Sequence, residues 1–189
     1  MNYIITLTLL LFYHVTFCQV KLEREYSLPI SEVPTKASSF TEEYFGDLNL
    51  KWFAEESDKG KSIEAKSFKK GKTFSIEFSH DGELQDIEKK IKFSSLNAPT
   101  KQAINSKLKS DFDKFKIRKT QIQWSGELET VKKFLKNEKV TSDFIIAYEI
   151  EVEGRANSNS KMYEYLFTEK GELIEKKQIV TRSTFNLEF

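Results

Sequence analysis

Apolar side chains stand at every second position in three stretches of this chain, and that spacing decides most of what it can become. Phe74, Ile76 and Phe78 form one stretch. Tyr163, Tyr165 and Phe167 form another, and Phe144, Ile146, Tyr148, Ile150 and Val152 the longest. A period of two sends one face of a strand into a core and the other toward water. That is the pattern of an antiparallel sheet covered on one side only. The cover is supplied by two stretches with helical spacing. Val33, Ala37, Phe40 and Tyr44 make the first, and Ile104, Leu108, Phe112 and Phe115 the second.

Both helical patterns open on the same tripeptide, Pro34-Thr35-Lys36 and Pro99-Thr100-Lys101. Proline suits a first helical turn, where its missing N–H leaves nothing unsatisfied. Two of the alternating strands run into the same turn, Asp81-Gly82-Glu83-Leu84 and Lys170-Gly171-Glu172-Leu173. Glycine there fits a hairpin that needs positive φ. Extended segments at 48–56 and 115–125 follow the helices, and the strand at 63–68 matches the long one around Tyr148. The offset is 65 residues between the tripeptides Pro34-Thr35-Lys36 and Pro99-Thr100-Lys101 and 89 between Phe78 and Phe167, the growth marking insertions in the second copy of an internal repeat. The expected class is therefore α+β, with two tandem αββββ units, each a helix packed on one face of an antiparallel sheet. The first repeat is assigned to residues 19–95 and the second to 96–189. Leu128, Val131 and Leu135 predict an additional short helix over 128–137.

Residues 3–13 are an apolar run, and no Asp, Glu, Lys or Arg precedes Lys21. The run is about half the length needed to span a bilayer. It fits the central region of a signal peptide, with Thr16 and Cys18 as the small residues before cleavage. Residues 1–18 are thus expected to be removed, leaving Gln19 at the mature N-terminus. Phe17 is too large for lipoprotein processing at Cys18. Cys18 is the single cysteine of the chain, so the mature protein is expected to have no disulfide and to depend on packing alone.

The segment from Ile63 to Phe78, closed by Asp81-Gly82-Glu83-Leu84, resembles the PepSY-like family, including its version likened to β-lactamase inhibitory protein. In the second half the likeness is carried by Tyr148-Glu149-Ile150-Glu151-Val152-Glu153-Gly154, Tyr163-Glu164-Tyr165-Leu166-Phe167 and Gly171-Glu172-Leu173. It spans residues 30–181. The resemblance implies a small exported bacterial protein, periplasmic or extracellular, without catalysis. It carries over no site residue, and the disulfides of the inhibitory relatives have no counterpart here.

Charge and residue chemistry narrow the function further. Thirty basic and 29 acidic side chains leave a net charge of +1, and nucleic-acid binding needs a basic excess. No nucleic-acid partner is expected, nor a membrane span in the mature chain. Of the two histidines, His14 leaves with the signal and His80 sits beside a turn. That excludes Cys/His nucleophiles and Cys/His zinc sites from the mature chain. No phosphate-cradling glycine loop is present. No cofactor, metal or catalytic residue is assigned. The remaining chemistry is carboxylate: Asp111 and Asp113 flank Phe112, while Glu149, Glu151 and Glu153 share one strand face, opposite Tyr148, Ile150 and Val152.

The functional expectation is a non-catalytic exported binding module, an inhibitor or modulator of an unidentified periplasmic or surface protein. It would use the open polar face of its sheets. The partner-binding candidates are Met162, Glu164 and Leu166, with Glu149, Glu151 and Glu77 as an acidic strip. Trp52 and Trp124 join them as candidate anchors. The alternative is a small-ligand or lipid carrier with a pocket between helix and sheet. A carboxylate-dependent hydrolase is a third reading, which would show a cleft with converging acids of perturbed pKa.

Overall fold

The structure, a computed structural model, describes residues 19–21, 23–57, 60–67, 73–140, 143–156 and 159–180. The signal peptide assigned to 1–18 and the last residues, 181–189, lie outside the described residues. Strands β1 (Gln19–Lys21) and β2 (Glu23–Ser27) lead to helix α1 (Thr35–Phe45). Strands β3 (Leu50–Ser57), β4 (Gly60–Ser67), β5 (Phe74–Ser79) and β6 (Leu84–Lys90) follow. Helix α2 (Ala98–Asp111), strand β7 (Lys114–Gly126), helix α3 (Leu128–Leu135) and strands β8 (Phe144–Ala156), β9 (Asn159–Thr168) and β10 (Leu173–Ile179) complete the chain. The short helix expected from Leu128, Val131 and Leu135 is α3.

The expected class, two tandem αββββ units, does not hold. All ten strands belong to one sheet in the order β1-β10-β9-β8-β7-β6-β5-β4-β3-β2. Where two units would part, β6 and β7 pair instead, from Asp86 opposite Ser125 to Lys90 opposite Gln121. Separate sheets would leave two rows of backbone N–H and C=O groups unpaired, and joining them satisfies both rows. A third helix and two N-terminal strands add further elements that a doubled unit lacks.

The sheet is also strongly curled. β1 runs parallel to β10, with Lys21 opposite Ile179. β2 runs antiparallel to β3, with Glu23 opposite Ser57. Lys21 and Glu23 are two positions apart, about 7 Å even in a fully extended chain. Seven strand spacings from β3 to β10 would measure about 34 Å in a flat sheet. One short N-terminal segment can touch both only if the sheet bends round until its two ends approach. The result is a ring of strands with an inner and an outer face.

The helices lie on the outer face. α1 buries Ala37, Phe40 and Phe45 against Trp52, Ile63, Ala65, Ile76, Phe78 and Ile87, with Val131 of α3 in the same cluster. α2 buries Ile104 and Leu108 against Tyr148, Ile150, Val152, Tyr165 and Phe167. The alternating apolar residues therefore all face helices, as their spacing requires. Asn97 caps α2 by accepting a hydrogen bond from the Thr100 backbone N–H at 2.9 Å.

The repeated tripeptides are explained by contact. Gly82 and Gly171 both have φ near +85°, and each turn lies under the first turn of a helix. A Cβ on Gly82 would come within 2.7 Å of Pro34 Cβ. One on Gly171 would come within 2.9 Å of the Thr100 carbonyl oxygen. Thr100 Oγ1 also donates to the Glu169 carbonyl at 2.8 Å, tying α2 to that turn. Asp111 ends α2 as a structural acid: it accepts from Tyr165 Oη at 2.7 Å and pairs with Lys176 at 3.0 Å. Burial would raise its pKa, but bonds from Lys107, Tyr165 and Lys176 outweigh that and lower it.

Phe78 is fully buried, with ring centroids 6.0 Å from Phe40 and 5.9 Å from Trp52. Phe78→Ala is expected to cost about 3–5 kcal/mol of stability. Urea unfolding should show a lower midpoint with an unchanged slope.

Candidate functional site

The inner face is polar because every second strand residue points into the curl. Across neighbouring strands Glu64 stands opposite Glu77, and Glu77 opposite Asp86. Glu88 stands opposite Gln123, and Gln121 opposite Glu149. Leu166 pairs with Glu149 and Glu175, and Glu164 with Glu151 and Lys177. Curvature brings these side chains around a cleft of about 390 Å³. Its lining reaches from Glu55 on β3, through Glu77, Asp86, Glu88, Gln123 and Glu149, to Glu164, Leu166, Glu175 and Lys177.

Three lysines neutralise part of this charge. Lys66 bonds Glu64 at 2.7 Å and also Glu25. Lys119 bonds Glu151 at 2.9 Å and Glu149 at 3.4 Å. Lys177 bonds Glu175 at 2.8 Å and lies 3.7 Å from Glu164. Burial alone would lower the Lys119 pKa, but Glu149 and Glu151 outweigh it and raise the value, so the ammonium stays charged. Glu64 is shifted up by burial, with Lys66 opposing the shift.

The middle of the face is different. Glu77, Asp86 and Glu88 bring carboxylate oxygens within 4.8 Å of one another. Glu88 is 3% exposed and accepts from Gln121 Nε2 at 2.6 Å and from Gln123 Nε2 at 3.4 Å. Burial first, then Glu149, Glu77 and Asp86, push its pKa well up, against a weaker opposing effect of Lys119. Glu77 keeps some accessible surface but stands deep in the curl. Burial, then Asp86, Glu64, Glu149 and Glu55, push its pKa well up. These acids resist ionisation because few water molecules and many like charges surround them.

Six of the sequence candidates share this face. Glu77, Glu149, Glu164 and Leu166 line the cleft, and Glu151 and Met162 lie farther along the same strands. Trp52 and Trp124 do not join them. Trp52 is in the core beside Phe78 on the helix side, and Trp124 packs on Phe134 at 5.1 Å on that side too. Both alternate with the inner-face residues of their strands, which is why they point away. Asp86, Glu88, Gln121 and Gln123 were missed. The alternation of Asp86, Ile87 and Glu88 was visible, but without the curvature it marks only another wet face.

The converging acids of raised pKa that would mark a carboxylate hydrolase are thus present. Burial and mutual repulsion push Glu77 and Glu88 in the same direction. His80 is exposed in the β5–β6 turn. The layer between helices and sheet, where the carrier alternative would put its pocket, holds the two hydrophobic clusters, with a depression of about 740 Å³ between α1 and β3 and one of about 350 Å³ where α1, the β5–β6 turn and α3 meet; the acidic cleft lies on the other side of the sheet.

No family model matches the chain, and no curated protein matches it. Solved structures do. A DUF2874 family protein from Bacteroides ovatus superposes with a TM-score of 0.53 at 14% identity, covering 77% of this chain and 87% of its own. A protein from Bacteroides eggerthii described as periplasmic gives 0.51 at 17% identity, covering 77% and 88%. A BLIP-like protein from Bacteroides fragilis gives 0.48 at 13% identity, covering 85% and 94%. At these identities the first two show a shared fold. Among the described residues no helix is long and apolar enough to cross a membrane.

Raised carboxyl pKa values make stability fall as pH rises. The folded state holds its proton between the unfolded pKa near 4.5 and the higher folded value, and above that window the penalty is complete. Glu77→Gln removes the penalty. Thermal unfolding is expected to show a higher Tm for E77Q at pH 8, with the gain shrinking to nothing as pH falls toward 4.5.

Proposed function

We propose that this chain is a non-catalytic exported binding module that holds a basic segment of a protein partner in its curled inner face. The observation that carries the reading is the charge of the cleft. Among the described residues seven carboxyl groups but only Lys61 and Lys177 line it, on a chain whose net charge is only +1; Lys119 and Lys177 offset part of the carboxyl charge, and Glu77 and Glu88 hold their protons more tightly than free carboxyls. The imbalance is therefore local, and a low-dielectric concave wall strengthens the field it produces. Leu166 and Met162 supply apolar surface beside it, the composition of a recognition patch with a charged surround. Acids of this kind act chiefly on association rate and salt dependence.

Two further points support the exported part of this reading. The N-terminal run has signal-peptide character, and one structure of similar fold is described as periplasmic. The PepSY-like resemblance agrees with an exported, non-enzymatic protein, and the repeat boundaries at 19–95 and 96–189 belong to that same reading.

Mass spectrometry of proteins retained by the immobilised mature chain from a periplasmic fraction tests it. A partner should be retained at low salt and released at high salt. Met162→Ala/Leu166→Ala should lose it while unfolding within about 1–2 kcal/mol of the parent. Retention that ignores both salt and the double substitution would exclude the inner face as the binding surface.

A further inference from the structure

Strand β7 runs on past its neighbour on one side. β8 pairs with it along its whole length, from Lys114 opposite Arg155 to Gly126 opposite Phe144. β6 pairs with it only from Ser125 back to Gln121. One further bond runs from the Ile91 N–H to the Thr120 carbonyl at 2.9 Å. There the chain leaves the sheet for the single helical turn Phe93–Ser95 and helix α2. Among the described strand pairings, residues 114–119 therefore have a partner on one side only. The other side of their backbone is an open edge.

The side chains of this edge are sorted by face. Phe115 and Ile117 are half-buried and pack, with Ile91 and Phe93, against the second hydrophobic cluster. Lys114 and Lys116 alternate with them and are exposed on the inner side. A register shift between Ile117 and Lys119 turns Arg118 to that side too, where its Nε donates to Glu153 at 2.9 Å. Arg155 stands opposite Lys114, and Lys90 and Lys92 flank the point where β6 ends. Lys90, Lys92, Lys114, Lys116 and Arg155 are exposed, and among the described residues none of them makes an ion pair. The acidic cleft is elsewhere: on β7 it reaches only Gln123.

We propose that the open edge of β7 receives an extended acidic segment of a protein partner, which adds a strand beside residues 114–119. An edge holds such a segment by main-chain hydrogen bonds and reads its side chains at alternate positions. The chemistry of the segment follows from the two faces. Glutamate or aspartate at every second position stands beside Lys114, Lys116 and Arg118. Apolar residues between them extend the layer of Phe115 and Ile117. Lysines on an edge also keep neutral strands from pairing with it. They act through their charge, and an acidic strand turns that charge into attraction. The edge offers carbonyl oxygens as well as N–H groups. A phosphate backbone carries acceptors only, whereas a polypeptide matches both.

The probe is a synthetic octapeptide in which glutamate alternates with valine, titrated into the mature chain in a calorimeter at low salt. No partner from a cell fraction is used, so the outcome is separate from that of the cleft. The octapeptide should bind, and more weakly as salt rises. Two control peptides separate strand addition from charge alone. One has the same composition with its four glutamates together, and the other has a methyl group on every backbone nitrogen. Both should bind at least about ten-fold more weakly. K114E/K116E should lose about ten-fold or more in affinity for the octapeptide, with a Tm close to the parent's. Hydrogen exchange on the parent needs no variant: amides within 114–119 should slow when the octapeptide is added. No binding at about 1 mM octapeptide, or equal affinity for the three peptides, would overturn the proposal. So would a phosphatidylglycerol vesicle or an oligonucleotide that slows the same amides more than the octapeptide does, since the edge would then be a general polyanion surface. Self-association of the parent that K114E/K116E abolishes, without octapeptide binding, would assign the edge to a second copy of the chain and overturn it equally.

Discussion

Backbone hydrogen bonds at the two ends of one short N-terminal segment set the shape of everything else. β1 bonds to the last strand and β2, one residue later, bonds to the third. Without them the sheet would be an open, twisted surface with two long edges exposed to pairing by other chains. With them its ends are drawn together and one face becomes concave. A polar side chain on a flat sheet would be in bulk water. The same side chain inside the curl is crowded by strands that lie far from it in pairing order. Glu77 feels Glu149 in this way, three strands away.

Curvature therefore turns an ordinary wet face into a strained electrostatic environment. On the outer face the helices cover two apolar clusters that together run from Trp52 to Phe167 through residues of seven strands. The stability of the molecule comes from this outer layer, and the unfavourable charge density is carried on the inner one. This division is common where a binding surface must stay unsatisfied until its ligand arrives.

Much of this was legible in the sequence. The alternating residues Phe74, Ile76 and Phe78 reported their own burial, and so did Tyr163, Tyr165 and Phe167. The paired Pro-Thr-Lys and Gly-Glu-Leu tripeptides marked real junctions, since each glycine lies beneath the helix start that its partner tripeptide forms. What failed was the division into two sheets. Alternation says which way a side chain points but not which strand its neighbour is, and the pairing of β6 with β7 is a long-range choice. Glu77, Glu149, Glu164 and Leu166 could be placed on a common face. Asp86, Glu88 and Gln121 could not be singled out, because their special character comes from curvature set by residues 19–27, a short segment with no distinctive pattern. The tryptophans pointed the wrong way for a similar reason. Their type suits either a core or a surface, and only the register settles which.

The closing segment is the first part of the described chain to be made, and its partner on β10 is nearly the last. Among the described strand pairings none joins residues farther apart along the chain. The entropy of bringing such distant ends together is spent before the contact returns anything, so pairing of this kind is slow and late. A chain that emerges from its N-terminus must hold this segment unpaired until the final strand is in place. Assembly then ends where it began, and the inner face acquires its depth in the last step rather than the first.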